Sequence, residues 1–316
     1  MRRGVIAALL IALAGIAVLV APGVRPAPLA APTLNGRIAY ASGGNIWIWR
    51  NGAHQFTNSG HDGSPDLTPD GQRLAYVRYD DSFSDVLVQA TAGGDAQFLT
   101  NNRPAAETGS LDYVQQALWA LNPAWAPDGS RIAWASDRGT DAPVLWIMDG
   151  SGDNQHSLQT SPPNPPLEHP RWSPDGSAIA GTSLGSGKDE IWSLNLDSGV
   201  WKEVAAPTDG AYDPAWSPDG TRVVYAARSG RQTDIWVAPV DGSTPPAQLT
   251  QMGRARAPVF SPDGKQVAFL AEKDDRFQMF VIDVREENGT LRAGSPQQVT
   301  SQDAGLDAPS GLSWSR

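Results

Sequence analysis

Short runs that alternate large and small apolar residues recur along most of the chain. Arg73-Leu74-Ala75-Tyr76-Val77, Arg131-Ile132-Ala133-Trp134-Ala135, Arg222-Val223-Val224-Tyr225-Ala226 and Gln266-Val267-Ala268-Phe269-Leu270 each repeat with period two. That is the strand period, and it gives each strand one bulky and one small face. Ahead of these runs stand Leu67-Thr68-Pro69-Asp70-Gly71, Trp125-Ala126-Pro127-Asp128-Gly129, Trp216-Ser217-Pro218-Asp219-Gly220 and Phe260-Ser261-Pro262-Asp263-Gly264, with a fifth copy in Trp172-Ser173-Pro174-Asp175-Gly176. In Pro-Asp-Gly the proline presets φ at the first corner, the aspartate bonds back to nearby backbone, and the glycine takes positive φ. The triplet is therefore a tight turn, and its aspartate is read as a turn former rather than a catalyst or a metal ligand.

The five aspartates are 58, 47, 44 and 44 residues apart. Within each interval a third strand follows, such as Glu190-Ile191-Trp192-Ser193-Leu194 or Asp234-Ile235-Trp236-Val237, and then a short fourth, such as Ala247-Gln248-Leu249-Thr250. Four antiparallel strands in about 44 residues make a sheet with two apolar faces that needs a neighbour on each side, which is a propeller blade. The ends complete the count. Residues 36–57 supply three strands of a blade (Ile38-Ala39-Tyr40, Ile46-Trp47-Ile48, Gln55-Phe56-Thr57) without a first one. Leu312-Ser313-Trp314-Ser315 is a first strand with nothing after it. The expected fold is all-β: a six-bladed propeller of four-stranded antiparallel blades, closed by pairing of the N- and C-terminal strands so that no sheet edge is left open.

The repeat resembles the TolB-type, WD-like β-propeller family over residues 36–316. Asp213 to Thr250 carries its signature: Pro, Trp-Ser-Pro-Asp-Gly, an aromatic strand, Ile-Trp and Leu-Thr. Gly181 stands where other blades have an aromatic, Leu67 replaces the tryptophan, and Ala126 and Thr68 replace the serine. The resemblance implies a protein partner. TolB itself also carries an α/β domain ahead of its propeller, whereas here a leader of about 35 residues takes that place.

Composition narrows the chemistry. With 32 Gly, 26 Pro and 12 Trp but only 18% charged residues, the 316-residue chain suits short strands and tight turns. It has no cysteine, which excludes disulfides, thiolate nucleophiles and cysteine zinc sites. Its net charge is −10, and three arginines lie before residue 32, so loss of that segment would leave −13. Phosphate binding depends on Lys and Arg, so nucleic acid is not an expected partner.

Arg2 and Arg3 precede Val5 to Ala21, an apolar run of 17 residues. At 1.5 Å per residue this is about 25 Å of helix, between a long signal-peptide core and a short membrane span. Ala21-Pro22-Gly23 offers a cleavage site, and Pro22 to Pro32 would serve as a stiff spacer if the run stayed as an anchor. Either way the paired arginines stay in the cytoplasm and the rest is exported. Residues 1–35 are thus read as signal or anchor plus spacer, and 36–316 as the propeller; the membrane is touched only through the N-terminal segment.

In a ring of this kind the Pro-Asp-Gly turns gather on one side and the interblade loops on the other, and those loops vary in length and chemistry. Variable loops on a rigid scaffold are where binding is expected. Residues just before each inner-strand proline should ring the channel mouth: Asp62, Ser64, Asn122, Glu168, His169, Tyr212, Asp213, Arg254, Arg256 and Asp307. The expected function is a non-catalytic scaffold that binds a protein or peptide there, with no cofactor. Two alternatives stay open: a metal-dependent lyase or hydrolase, if His61 and His169 converge with Asp62, Glu168 or Asp213, and a glycan or small-molecule binder in which Arg254 and Arg256 grip carboxylates. His54 and His156 fall on the rim. The longest loop contains Leu111, Val114, Leu118 and Trp119 at helical spacing, predicting a short helix that packs Trp119 on the ring. Gly181-Thr182-Ser183-Leu184-Gly185 matches G-x-S-x-G but ends a strand with no helix to follow, so no nucleophile elbow is expected.

Overall fold

A computed structural model describes residues 32–158, 160, 165–184, 187–301 and 305–316; the apolar run at 5–21 and its cleavage site lie outside the described residues. Among the described residues no helix is long and apolar enough to cross a membrane.

Six sheets follow one another along the chain, and each is entered by an inner strand: Asp62–Leu67, Ala120–Trp125, Leu167–Trp172, Ala211–Trp216, Ala255–Phe260 and, at the carboxyl end, Leu312–Ser315. The last of these pairs antiparallel with Arg37–Ser42, placing Ile38 opposite Trp314 and Tyr40 opposite Leu312. Each inner strand also packs against the inner strand of the next blade, and Leu312–Ser315 packs against both Ala255–Phe260 and Asp62–Leu67. The ring is closed. We number the blades 1 to 6, beginning with the one shared by the two termini.

The large-small alternation determines how blades meet. Six apolar clusters fill the six seams, one for each pair of neighbouring blades. Tyr40, Tyr76, Trp134, Tyr225 and Phe269 occupy the same place in five blades and are all essentially solvent-free. Burial of each contributes on the order of 2–3 kcal/mol. Blade 4 has Gly181 there, and a Cβ on it would come within 2.6 Å of the Leu167 side chain. Leu167 of the inner strand thus fills the space that an aromatic takes elsewhere.

The Pro-Asp-Gly turns behave as their chemistry requires. In blade 4 the Ser173 hydroxyl donates to Asp175 Oδ1 at 2.6 Å, and the Ser177 amide donates to the same oxygen at 3.0 Å. Asp219 and Asp263 are held in the same way by Ser217 and Ser261. On the rim, the short fourth strands are secured by threonines. Thr100 Oγ1 accepts from the Val86 amide and donates to Asp85, and Thr250 repeats the arrangement with Ile235 and Asp234.

Two features depart from the sequence reading. Blade 6 is larger than four strands, because Arg276–Glu287 overruns its sheet and turns at Asn288-Gly289 into an added strand, Thr290–Ala293. This hairpin breaks the uniformity of the Pro-Asp-Gly side, and Glu286 on it pairs with Arg222 of blade 5 at 3.0 Å. The helix in the long loop spans only Leu111–Gln116, capped by Ser110, whose hydroxyl accepts from the Tyr113 amide. Ala117 is extended, so Leu118 and Trp119 leave the helix; Leu111 and Val114 face solvent, and Tyr113 is the buried residue. Trp119 is held instead through its amide, which donates to Asp137 at 2.8 Å.

Candidate functional site

Every inner strand enters its blade through the same backbone irregularity. Ser64, Asn122, His169, Asp213 and Ala257 have φ between 49° and 57°, and Gly311 takes the equivalent place with φ 73°. In the five non-glycine cases the following residue is proline, and each strand shifts register there against its neighbour. Residues before proline are normally driven to extended conformations. A left-handed conformation at such a position is strained by about 1–3 kcal/mol. The bulge re-aims the side chain, so five strained positions, with Gly311 as the unstrained sixth, ring the axis on the interblade-loop side.

Four of them carry polar side chains, and two groups of contacts form around them. In the first, Arg256 of blade 6 donates to both carboxylate oxygens of Asp213 in blade 5, at 2.9 and 3.2 Å. The Ala257 amide donates to the same carboxylate at 3.1 Å. The Arg256 guanidinium lies 5.1 Å from the centre of the Tyr212 ring. Its pKa stays above the ordinary value although burial opposes this, because Asp213, Tyr212 and Asp307 all favour its charge. His169 of blade 4 approaches from the other side. Its Nε2 is 3.7 Å from Asp213 Oδ1 and 3.3 Å from the Pro309 carbonyl. Nδ1 is buried without a hydrogen-bond partner.

The second group is centred on Tyr79. Its hydroxyl is 3.0 Å from Ser64 Oγ, which also accepts from Asn122 Nδ2 at 3.3 Å. Burial pushes the Tyr79 phenol up, and Asp307 and Glu168 push it further. These interactions join both groups at one mouth, with the carboxylates of Glu168 and Asp307 exposed beside it.

Three expected site residues stand apart. Asp62 is buried and gripped by Arg78 through two contacts of 2.8 and 3.1 Å, so it braces the wall. Arg254 is exposed and paired with Glu272 at 2.6 Å. His61 is exposed, and only its backbone takes part in described hydrogen bonds: its amide donates to Ser59, and its carbonyl accepts from Tyr79. Among the described residues no three His, Asp or Glu side chains gather in a way that would hold a metal ion. His54 and His156 lie exposed in outer strands.

A family model for the TolB beta propeller domain matches residues 141–301, about half of the chain. The chain belongs to the TolB β-propeller family. Among solved structures, TolB from Acinetobacter baumannii superposes with a TM-score of 0.70 at 20% identity, over 91% of this chain and 68% of that one. A putative TolB from Agrobacterium tumefaciens gives 0.65 at 18% identity, over 88% and 92%. Among curated proteins, an uncharacterised peptidase of Bacillus subtilis, YuxL, is 31% identical over 104 residues; the match covers 31% of this chain and 14% of that relative's length.

Sequence reasoning missed two residues inside this TolB-type propeller. One position beyond each inner-strand proline, the blades place Ala124, Ala215, Val259 and Ser313 against the axis, but blade 2 places Asp66 and blade 4 places Arg171. Their charge at a position where other blades have small or apolar residues was the available signal. Asp66 accepts from the Trp125 amide at 2.7 Å and from the Ser313 hydroxyl, and burial pushes its carboxyl up against the pull of Arg171.

Proposed function

We propose that this chain is an exported, non-catalytic propeller that holds a protein or peptide partner at the mouth built by His169, Tyr212, Asp213 and Arg256, with Glu168 and Asp307 on its edge. One observation carries the reading. The fold asks only for a left-handed backbone at each of the six positions, and Gly311 meets that need without strain. Ser64, Asn122, His169 and Asp213 keep polar side chains there at a cost, and such cost is characteristic of recognition sites.

The arrangement favours binding over chemistry. Asp213 is saturated by Arg256 and Ala257, and Arg254 is engaged by Glu272, so neither arginine is left free to grip a foreign carboxylate. Tyr212, with two guanidinium groups near its ring, offers the amphipathic surface on which interfaces are built. Residues 1–35 would act as signal or anchor and residues 36–316 as the exported propeller.

Photo-crosslinking in cells tests this. A photoreactive amino acid at Glu168 or Tyr212 should yield discrete polypeptide adducts, and the same group at Asp128 or Asp219, in the opposite turns, should not. Adducts confined to the turn side, or no polypeptide adduct at the mouth, would overturn the proposal.

A further inference from the structure

On the Pro-Asp-Gly side the channel opens into a vestibule of about 640 Å³, while the space along the axis at the mouth is only about 10 Å³. Arg171 lines both. It stands on blade 4, diametrically across from blade 1, yet its Nη2 lies 3.4 Å from where a Cβ on Gly311 of blade 1 would be. The guanidinium therefore crosses the axis and separates the two spaces.

We infer that the vestibule is a second binding site, separate from the mouth, and that it takes a ligand with a terminal carboxylate on an apolar body, the carboxylate seated on Arg171. Of the five N–H donors on that guanidinium, one hydrogen bond is described, from Nη1 to the Pro170 carbonyl at 3.1 Å. Asp66 attracts Arg171 without closing to an ion pair, because its carboxylate is turned into the wall toward Trp125 and Ser313. Asp70, the other acid of the vestibule, is turned into its own turn, where it accepts from Thr68 and the Gln72 amide. Among the described residues Arg171 thus forms no ion pair at the floor of the vestibule, and Arg316 lies in the same lining. The walls combine the turn prolines and the aromatic residues that close the inner strands, Trp172 and Trp216 among them, with serines such as Ser173 and Ser261. A volume in the range of ligand sites, proline and aromatic surfaces in the walls and one planar fork of donors match a carboxylate on an apolar stem. A peptide C-terminus and a small organic acid share this chemistry.

Four probes on the wild-type propeller make the test: N-acetyl-Pro-Leu-Phe as free acid and as amide, and 4-phenylbutyrate and its amide, each titrated while indole N–H resonances are followed by NMR. The acids should shift Trp172 and Trp216, and the amides should bind at least about tenfold more weakly, as loss of a charge-assisted pair requires. Tighter binding of the peptide acid would name a peptide terminus as the source, and equal binding a small acid; either supports the site. Arg171→Lys, which keeps the charge and loses the fork, should weaken the acids several-fold, and Arg171→Gln should abolish the acid-amide difference. Equal affinity of acid and amide for the wild type would overturn the inference. So would shifts centred on Tyr212 and His169, or no binding at millimolar concentration.

Discussion

Arg256 and Asp213 stand on neighbouring blades and meet through a two-pronged contact of 2.9 and 3.2 Å, and the aspartate holds that position with φ 57° directly before Pro214. The pair joins blade 5 to blade 6 at the lip of the channel, where Asp213 is 6% exposed and Arg256 24%. Removing one partner strands the other charge. Asp213→Ala is therefore expected to cost about 2–3 kcal/mol in urea unfolding. Replacing both residues with neutral ones of similar volume is expected to cost less than the single change. A double-mutant cycle with no coupling would show that the contact contributes nothing.

His169 separates strain from contact. With φ at 51°, His169→Gly is expected to fold with stability within about 1 kcal/mol of wild type, because glycine adopts that φ freely. His169→Val is expected to lose about 2 kcal/mol, since a branched Cβ is most crowded there. Equal melting of the two variants would contradict the assignment of strain.

Ring closure rests on the last strand. Trp314 is 8% exposed, pairs with Ile38 and donates its indole N–H to the Asn35 carbonyl at 2.7 Å. Trp314→Ala is expected to cost about 3–5 kcal/mol. By native-state hydrogen exchange, the segment 37–42 is expected to lose protection before blades 3 to 5 do. Uniform loss across all blades would mean that the closing strand is not a separate weak point.

The turn aspartates make stability depend on acid. The Ser173 hydroxyl, and after it the Ser177 amide, hold Asp175 below its ordinary 3.8. A carboxyl with a depressed folded pKa contributes its full stability above the unfolded value, near 4, and loses it as pH falls through the folded value. The difference in melting temperature between wild type and Asp175→Ala should be full at pH 6 and shrink below about pH 4. A difference that persists unchanged at pH 2.5 would assign it to something other than the charge.

The architecture was legible because its signals are local. Pro-Asp-Gly forces a turn wherever it occurs, period-two alternation identifies strands, and the missing strand at one end is present at the other. The position of the mouth was legible for the same reason, since Ser64, Asn122, His169 and Asp213 all precede a repeat proline. The second-strand partners of Ser64 and Asp62 were not. Arg78 and Tyr79 come from the end of one second strand, Arg73–Tyr79, where the repeat prescribes nothing, and they meet Asp62 and Ser64 only because the sheet brings strand ends to one side. The helix proved shorter than its apolar spacing implied because four spaced residues cannot reveal where the backbone turns extended. Arg171 follows its proline instead of preceding it, so it lies beyond the bulge and lines the channel rather than the lip.

The central claim is that the strained mouth of a closed ring is the surface that meets a partner, and hydrogen–deuterium exchange on the propeller with the partner recovered by crosslinking tests it most directly. Added protection is expected at the backbone of residues 63–64, 168–169, 211–213 and 255–257, with the five Pro-Asp-Gly turns unchanged. Protection centred on those turns, with the mouth unaffected, would contradict it.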